Sequence, residues 1–391
     1  MRGLIPSLLS LAMLAGCAAP TPPSAPPSAL FADAAFAPPS EPIGSDDLFA
    51  LSPAMQAHLR SPAFVNLLHT RGLEHGLIEA LYSKRELKLD YDAGITRNAA
   101  DTYAARAGNC LSLVIMTAAF ARELKMTVRF QSVDVDDTWS RSGSLLLVAA
   151  HVNIALGHRK PSTMSYDATA DRELVVDFLP PPDAARLRTR ELDESAITAL
   201  FMNNRAAEAL VAGRIDDAYW WARAALNGNP ANTTAYNTLG VIYQRHNQPA
   251  LAESAYRAAL LREPESLVVL QNLGPLLERL GRHEEAQAIA RRAAAIQPTP
   301  PFYYFDQGVV AMKRGDYGGA RTLFEREVRR APYNDEFHFW LALAHLRLGD
   351  AAQARSELAE AVETSTRPDM RTAYSAKLAH LRQYRSSMAP P

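Results

Sequence analysis

Tyr236-Asn-Thr-Leu239-Gly240-Val-Ile-Tyr243, followed by Ala252-Glu-Ser-Ala255-Tyr256-Arg-Ala-Ala259 and closed by Pro264, decides the fold of the carboxy half. Apolar and small residues recur every three or four positions in both parts, which is the spacing of one helix face. A residue without a side chain, such as Gly240, lets two helices cross closely. Pro264 ends the second helix, because it has no N–H to give to the next turn. The pattern returns along the chain: Pro230, Pro264, Pro298 and Pro332 are each 34 apart. Ala218, Ala252, Ala286, Ala320 and Ala354 keep the same period of 34, as do Gly240, Gly274 and Gly308, and separately Gly281, Gly315 and Gly349.

Helix pairs repeating every 34 residues resemble the tetratricopeptide repeat. Five units fit residues 197–366. The first has Arg205-Ala206 where Leu-Gly is expected, and the last has Ala342 for Gly and Thr366 for Pro, as capping repeats often depart from their consensus. Residues 367–391 then read as a capping helix and tail. Pro275 falls inside a first helix, where it is expected to kink it. The resemblance implies a concave groove lined by first-helix side chains, open to a protein or peptide ligand. Asn203, Asn237, Gln244 and Gln271 would line one end, with amides suited to an extended backbone. Phe302, Phe305, Met312 and Phe339 would line the other and anchor apolar side chains, or receive the final helix.

Outward toward the amino terminus, residues 44–190 mix helical and strand patterns and form an α+β domain. Residues 64–81 read as a helix, and 128–135, 144–156 and 173–179 as strands. Residues 111–124 are apolar nearly all round, so they predict a buried central helix, with Asn109 as its N-cap and Cys110 in its first turn. The unpaired N–H groups of a helix start favour a thiolate. Gly108-Asn109-Cys110, then Ala150-His151-Val152-Asn153-Ile154, then Leu174-Val175-Val176-Asp177 resemble, in that order, the nucleophile, histidine and acidic motifs of the transglutaminase-like superfamily.

That resemblance covers residues 90–182 and implies a papain-like fold, with the nucleophile on a helix and the other two residues on adjacent antiparallel strands. It further implies that Cys110 attacks an acyl carbon, His151 exchanges the proton and Asp177 orients the ring. Asn109 and Asn153 are placed to support the site, Asn153 by sharing a strand face with His151. Asp167 and Asp171 are alternatives to Asp177. The Cys110 N–H is one donor to the oxyanion. The family's upstream Trp, or the Gln of papain-like proteases, has no counterpart here, which leaves the second donor unassigned. Gln56 is the only Gln between Gly44 and Asn109, and no Trp lies there.

The amino terminus sets the expected location. Met1 and Arg2 precede an apolar run at 4–14, too short to span a bilayer but suited to a signal peptide. Leu14-Ala15-Gly16-Cys17 resembles the bacterial lipobox, so 1–16 reads as a signal peptide and Cys17 as the lipidated residue. Several acyl chains on one residue anchor stably. Ala18 then implies the outer membrane, facing the periplasm, in a Gram-negative source. Eight prolines in 20–42 make 17–43 read as an extended tether that buries no core.

Composition excludes other classes. Across 391 residues, 41 Lys+Arg against 42 Asp+Glu give a formal charge of −1, which is no nucleic-acid footprint. Two cysteines rule out a disulfide scaffold or a four-thiolate zinc site. The sequence has no phosphate loop, metal motif or serine elbow, so no metal or cofactor is expected. The reading is therefore a membrane-anchored envelope lipoprotein with a cysteine-dependent acyl-transfer domain, acting by amide or peptide hydrolysis or by transamidation, beside a tetratricopeptide groove. Its rival is a non-catalytic tetratricopeptide scaffold with a degenerate domain of the same shape.

Overall fold

The computed structural model describes residues 26, 28–83, 89–142, 145–157, 173–178 and 189–388. Cys17 and the apolar leader lie outside them, as do His158, Asp167 and Asp171.

Three short helices open the α+β region: α1 (Pro53–Leu59), α2 (Pro62–Arg71) and α3 (Leu73–Tyr82). The single helix expected over 64–81 is thus two, broken at Gly72, whose φ of +83° a residue with a side chain rarely adopts. Strand β1 (Asp90–Tyr91), helix α4 (Ala99–Ala105) and strand β2 (Ala107–Gly108) lead into α5 (Cys110–Glu123). Every residue of α5 from Leu111 to Ala121 is buried. At about 1.5–3 kcal/mol for each large apolar side chain withdrawn from water, this helix anchors the region. It packs on the hairpin of β3 (Thr127–Ser142) and β4 (Leu145–Gly157). With β5 (Leu174–Val176) and β6 (Thr189–Leu192), these form an antiparallel sheet in the order β5-β4-β3-β6.

Ten helices then pair as five units: α6 (Glu194–Val211) with α7 (Ile215–Gly228), α8 (Thr233–Arg245) with α9 (Pro249–Arg262), and α10 (Leu267–Arg279) with α11 (His283–Ile296). The last two units are α12 (Tyr303–Arg314) with α13 (Tyr317–Arg330) and α14 (Asp335–Arg347) with α15 (Ala351–Thr364). Helix α16 (Pro368–Met388) packs on α15. Helix α10 runs through Pro275, which leaves the Gln271 carbonyl without its usual helical donor.

The turn inside each unit has one left-handed residue, in the series Gly213, Asn247, Gly281, Gly315 and Gly349, with φ of 77°, 55°, 74°, 79° and 82°. The sequence period shows the last three. Asn247 holds the same place because asparagine tolerates this conformation better than other side chains do.

The array does not stand apart from the α+β region. The first helices α6, α8 and α10 pack on β4. The Ala93 N–H donates to the Thr366 carbonyl at 2.9 Å, and the Thr96 N–H to Glu208 Oε1 at 2.7 Å. One apolar core runs from Phe64, Val114 and Ile154 into Ile197, Leu239 and Ile289. A second gathers Phe302, Phe305, Phe324 and Phe337.

Residues 28–43 correct the tether reading. Leu30 and Phe36 are buried, and Phe36 stacks on Tyr219 at 3.9 Å and on His246 at 4.4 Å. The backbone is held too. Tyr243 Oη donates to the Leu30 carbonyl, Trp220 Nε1 to the Ala37 carbonyl at 2.7 Å, and the Ser40 N–H to Asp217 Oδ1 at 2.7 Å. Proline content predicts an extended chain, but the segment opens with two short 3-10 turns, Ser28–Leu30 and Asp33–Ala35. Its apolar side chains fill the seam between the first two units, so it is a strap there rather than a free linker.

Candidate functional site

The site is built at the start of α5. Asn109 caps the helix, its Oδ1 accepting from the Ser112 N–H at 2.9 Å, while its Nδ2 donates to Thr96 Oγ1 at 2.7 Å. This buried pair ties the cap to the loop between β1 and α4. Gly108 leaves no space beside it: a Cβ there would meet Ser112 Cβ at 2.8 Å and Thr102 Cγ2 at 3.1 Å. Cys110 is therefore fixed as the first residue of the helix. It is partly exposed and a free thiol.

His151 reaches the same point from β4. Its Nε2–H donates to Asp177, at 3.0 Å from Oδ1 and 2.9 Å from Oδ2. The Cys110 sulfur lies close enough to act on the ring, whose Nδ1 is the nitrogen left free of Asp177. Asp177 lies one residue past β5, which pairs with β4 through Ile154 and Val176. Both side chains of the ion pair are largely buried, at 9% and 13% exposure. Burial works against a charged ring, but the Asp177 carboxylate and the Cys110 sulfur outweigh it and push the His151 pKa up to about 9. A ring so placed is an imidazolium at neutral pH, next to the Cys110 sulfur. Such a pair can add to an acyl carbon and return a proton to a leaving amine.

One residue of the site escapes sequence reasoning. Tyr91 on β1 lies opposite Gly108 of β2, and its phenol lies close enough to Cys110 to interact with both its backbone N–H and its sulfur. A two-residue strand leaves no periodic signal, so the sequence marks Tyr91 only as an aromatic upstream of the thiol. Asn153, by contrast, is buried with its Oδ1 unpartnered. His58 is structural, its Nδ1 bonded to Tyr103 Oη at 3.0 Å beside Phe64 and Phe120.

Most of the side chains expected to line a groove are buried or engaged elsewhere, although Asn203 Oδ1 and Gln271 Oε1 have no hydrogen-bond partner among the described residues. Asn203 and Asn237 are buried, and Asn237 Oδ1 accepts from Asn272 Nδ2 at 2.9 Å. Gln244 donates to Tyr256 Oη at 2.7 Å and accepts from Arg279, and Gln271 is partly buried. Phe302 and Phe305 belong to the second core, which Met312 borders. Phe339 stacks on Tyr374 of α16 at 5.1 Å. The physical reason is occupancy. The first-helix faces of three units are covered by the chain's own sheet, and the last aromatics pack on each other and on α16. First-helix surface remains open on α12, where Asp306, Gln307, Val310 and Arg314 line a shallow cleft.

Among the described residues, no group of three or more His, Cys, Asp or Glu is placed to hold a metal, and no helix is long and apolar enough to cross a membrane.

The family model described as the tetratricopeptide repeat matches residues 237–301 and 305–369. Residues 237–369 are thus tetratricopeptide repeats, in the units that the helix pairs define. Among solved structures, the chain is similar to TTC0263, a thermophilic tetratricopeptide protein of Thermus thermophilus, at 20% identity over 46% of this chain and 99% of that one, with a TM-score of 0.32. It is similar to PilF of Pseudomonas aeruginosa at 22% identity, over 50% and 87% of the two chains, with a TM-score of 0.30. A third is a tetratricopeptide repeat protein from Parabacteroides merdae, at 18% identity, over 48% and 73%, with a TM-score of 0.28. None of the curated proteins compared with the chain matches it.

Proposed function

We propose that the α+β region is a transglutaminase-like, cysteine-dependent acyl-transfer domain carried on the tetratricopeptide scaffold, in an envelope lipoprotein anchored through Cys17. The observation that carries this reading is the position of His151, held between the Asp177 carboxylate and the Cys110 sulfur at a helix start. The Cys110 sulfur adds to the acyl carbon, and the carbonyl electrons move onto oxygen. The intermediate collapses to a thioester as the leaving amine takes a proton from His151. The neutral ring then accepts a proton from water or from a second amine as that nucleophile attacks the thioester. Water gives hydrolysis and an amine gives transamidation, with Cys110 regenerated in both cases. The array serves protein partners, and the α12 face is the open first-helix surface for them.

The test is reactivity of the thiol in the chain from Ala18 onward, measured with iodoacetamide and peptide mapping. Cys110 is expected to alkylate at pH 6 at least tenfold faster than free cysteine, because it sits at a helix start beside an imidazolium, a setting that makes a thiol reactive. His151→Ala should abolish the advantage. Alkylation no faster than free cysteine at that pH leaves the non-catalytic scaffold as the correct reading.

A further inference from the structure

We propose that Tyr91 is the second donor to the acyl oxygen, completing an oxyanion site with the Cys110 backbone N–H. This rests on the acyl-transfer reading of Cys110 and supplies the donor that no Trp or Gln provides. The parallel ladder fixes the residue: Tyr91 is paired with Gly108, and the Asp92 N–H donates to the Gly108 carbonyl at 3.1 Å. β1 therefore cannot shift relative to the start of α5 without breaking this ladder. This ladder sets the Tyr91 phenol beside Cys110, within interaction range of both its backbone N–H and its sulfur.

That location has a chemical meaning. A carbonyl carbon within bonding range of the Cys110 sulfur must direct its oxygen toward the helix start, where the Cys110 N–H points. The phenol lies beside that place. A carbonyl oxygen entering there meets the phenol proton as well as the N–H, and becomes the stronger acceptor once negative charge develops.

No proton is transferred at this step. The C–S bond forms, the carbonyl π pair becomes the oxyanion lone pair, and the Cys110 N–H and Tyr91 O–H both donate to it. Collapse re-forms the carbonyl and expels the leaving group with the His151 proton. Burial, together with the nearby Cys110 and Asp177 charges, holds the Tyr91 pKa well above that of an ordinary phenol, so the donor stays protonated across the working range.

Two probes separate this role from others. p-Nitrophenyl acetate acylates sulfur through an oxyanion, whereas iodoacetamide alkylates it by direct displacement with none. In Tyr91→Phe, the p-nitrophenolate burst from Cys110 is expected to slow by on the order of 10²-fold, while alkylation at the same pH changes less than about threefold. Near-equal alkylation doubles as the control that the site is folded. Acylation as fast as in the parent overturns the proposal. So does a parallel change in both rates, which would make the phenol a cap on the sulfur. Failure of the parent itself to exceed Cys110→Ala in either reaction overturns the acyl-transfer reading beneath it, and is distinguishable because it appears before any change at Tyr91.

Discussion

The repeat array and the α+β region are held together by opposite kinds of contact. In the array each helix packs on its sequence neighbours, and each unit makes the same contact again 34 residues later. In the α+β region the working contacts join distant segments once each. Tyr91, Cys110, His151 and Asp177 come from β1, α5, β4 and the end of β5. An array contact has copies elsewhere, so its loss weakens one place and leaves the rest. A site contact has no copy, so its loss takes the site apart while the fold remains.

The largest effect should therefore follow from Asp177→Asn. The amide cannot stabilise an imidazolium or orient the ring as the carboxylate does, and under the proposed acyl-transfer function turnover should fall by on the order of 10⁴-fold. The linkage follows from the His151 pKa, raised to about 9 in the folded state. A raised imidazole contributes stability that is fully present below its unfolded value, about 6.5, and is lost as pH rises through 9. Thermal melts should thus show the parent ahead of Asp177→Asn at pH 6, with the gap closing between pH 6.5 and 9. A gap independent of pH over that window would mean that the carboxylate acts through packing rather than charge.

A smaller effect is expected where the strap meets the array. Phe36→Ala removes a ring stacked on Tyr219 and His246, at a cost of about 3 kcal/mol. If array contacts are local, hydrogen exchange should speed up in α7 and α8 and stay unchanged in α13 to α15. Faster exchange through all five units would show that the strap and the shared core make the array cooperate with the region it encloses.

The same distinction explains what the sequence could disclose. Helix pairs, unit boundaries and the buried α5 follow from local periodicity, which one chain displays in full. Cys110, His151 and Asp177 can be named because their motifs resemble those of a family, not because spacing alone requires them to meet. The contact between Tyr91 and Cys110 depends on a two-residue parallel ladder, for which no pattern of alternation exists. The strap reads as part of a free tether because residues 20–42 hold eight prolines, while Leu30 and Phe36 supply its energy. The groove reads as open because a repeat's concave face looks the same in sequence whether a ligand or the chain's own sheet covers it.

The smallest effects test how far repetition of sequence is repetition of structure. Gly240, Gly274 and Gly308 hold one position of the period, yet their surroundings differ. A Cβ at Gly240 would lie 2.4 Å from the Tyr256 ring, and one at Gly308 would lie 2.5 Å from the Phe324 ring. At Gly274 the nearest atom is Ile289 Cγ2 at 3.6 Å, an ordinary contact. The ring of Tyr256 cannot yield easily, because it is buried and its hydroxyl accepts from Gln244. Gly240→Ala and Gly308→Ala should each cost about 1–3 kcal/mol by overpacking. Gly274→Ala should gain up to about 1 kcal/mol, since alanine is the better helix former and fits. Denaturant melts of the three variants decide it. A common penalty would mean that the units are packed alike after all, whereas opposite signs would show that the third unit is looser and takes its support from β4, against which α10 packs.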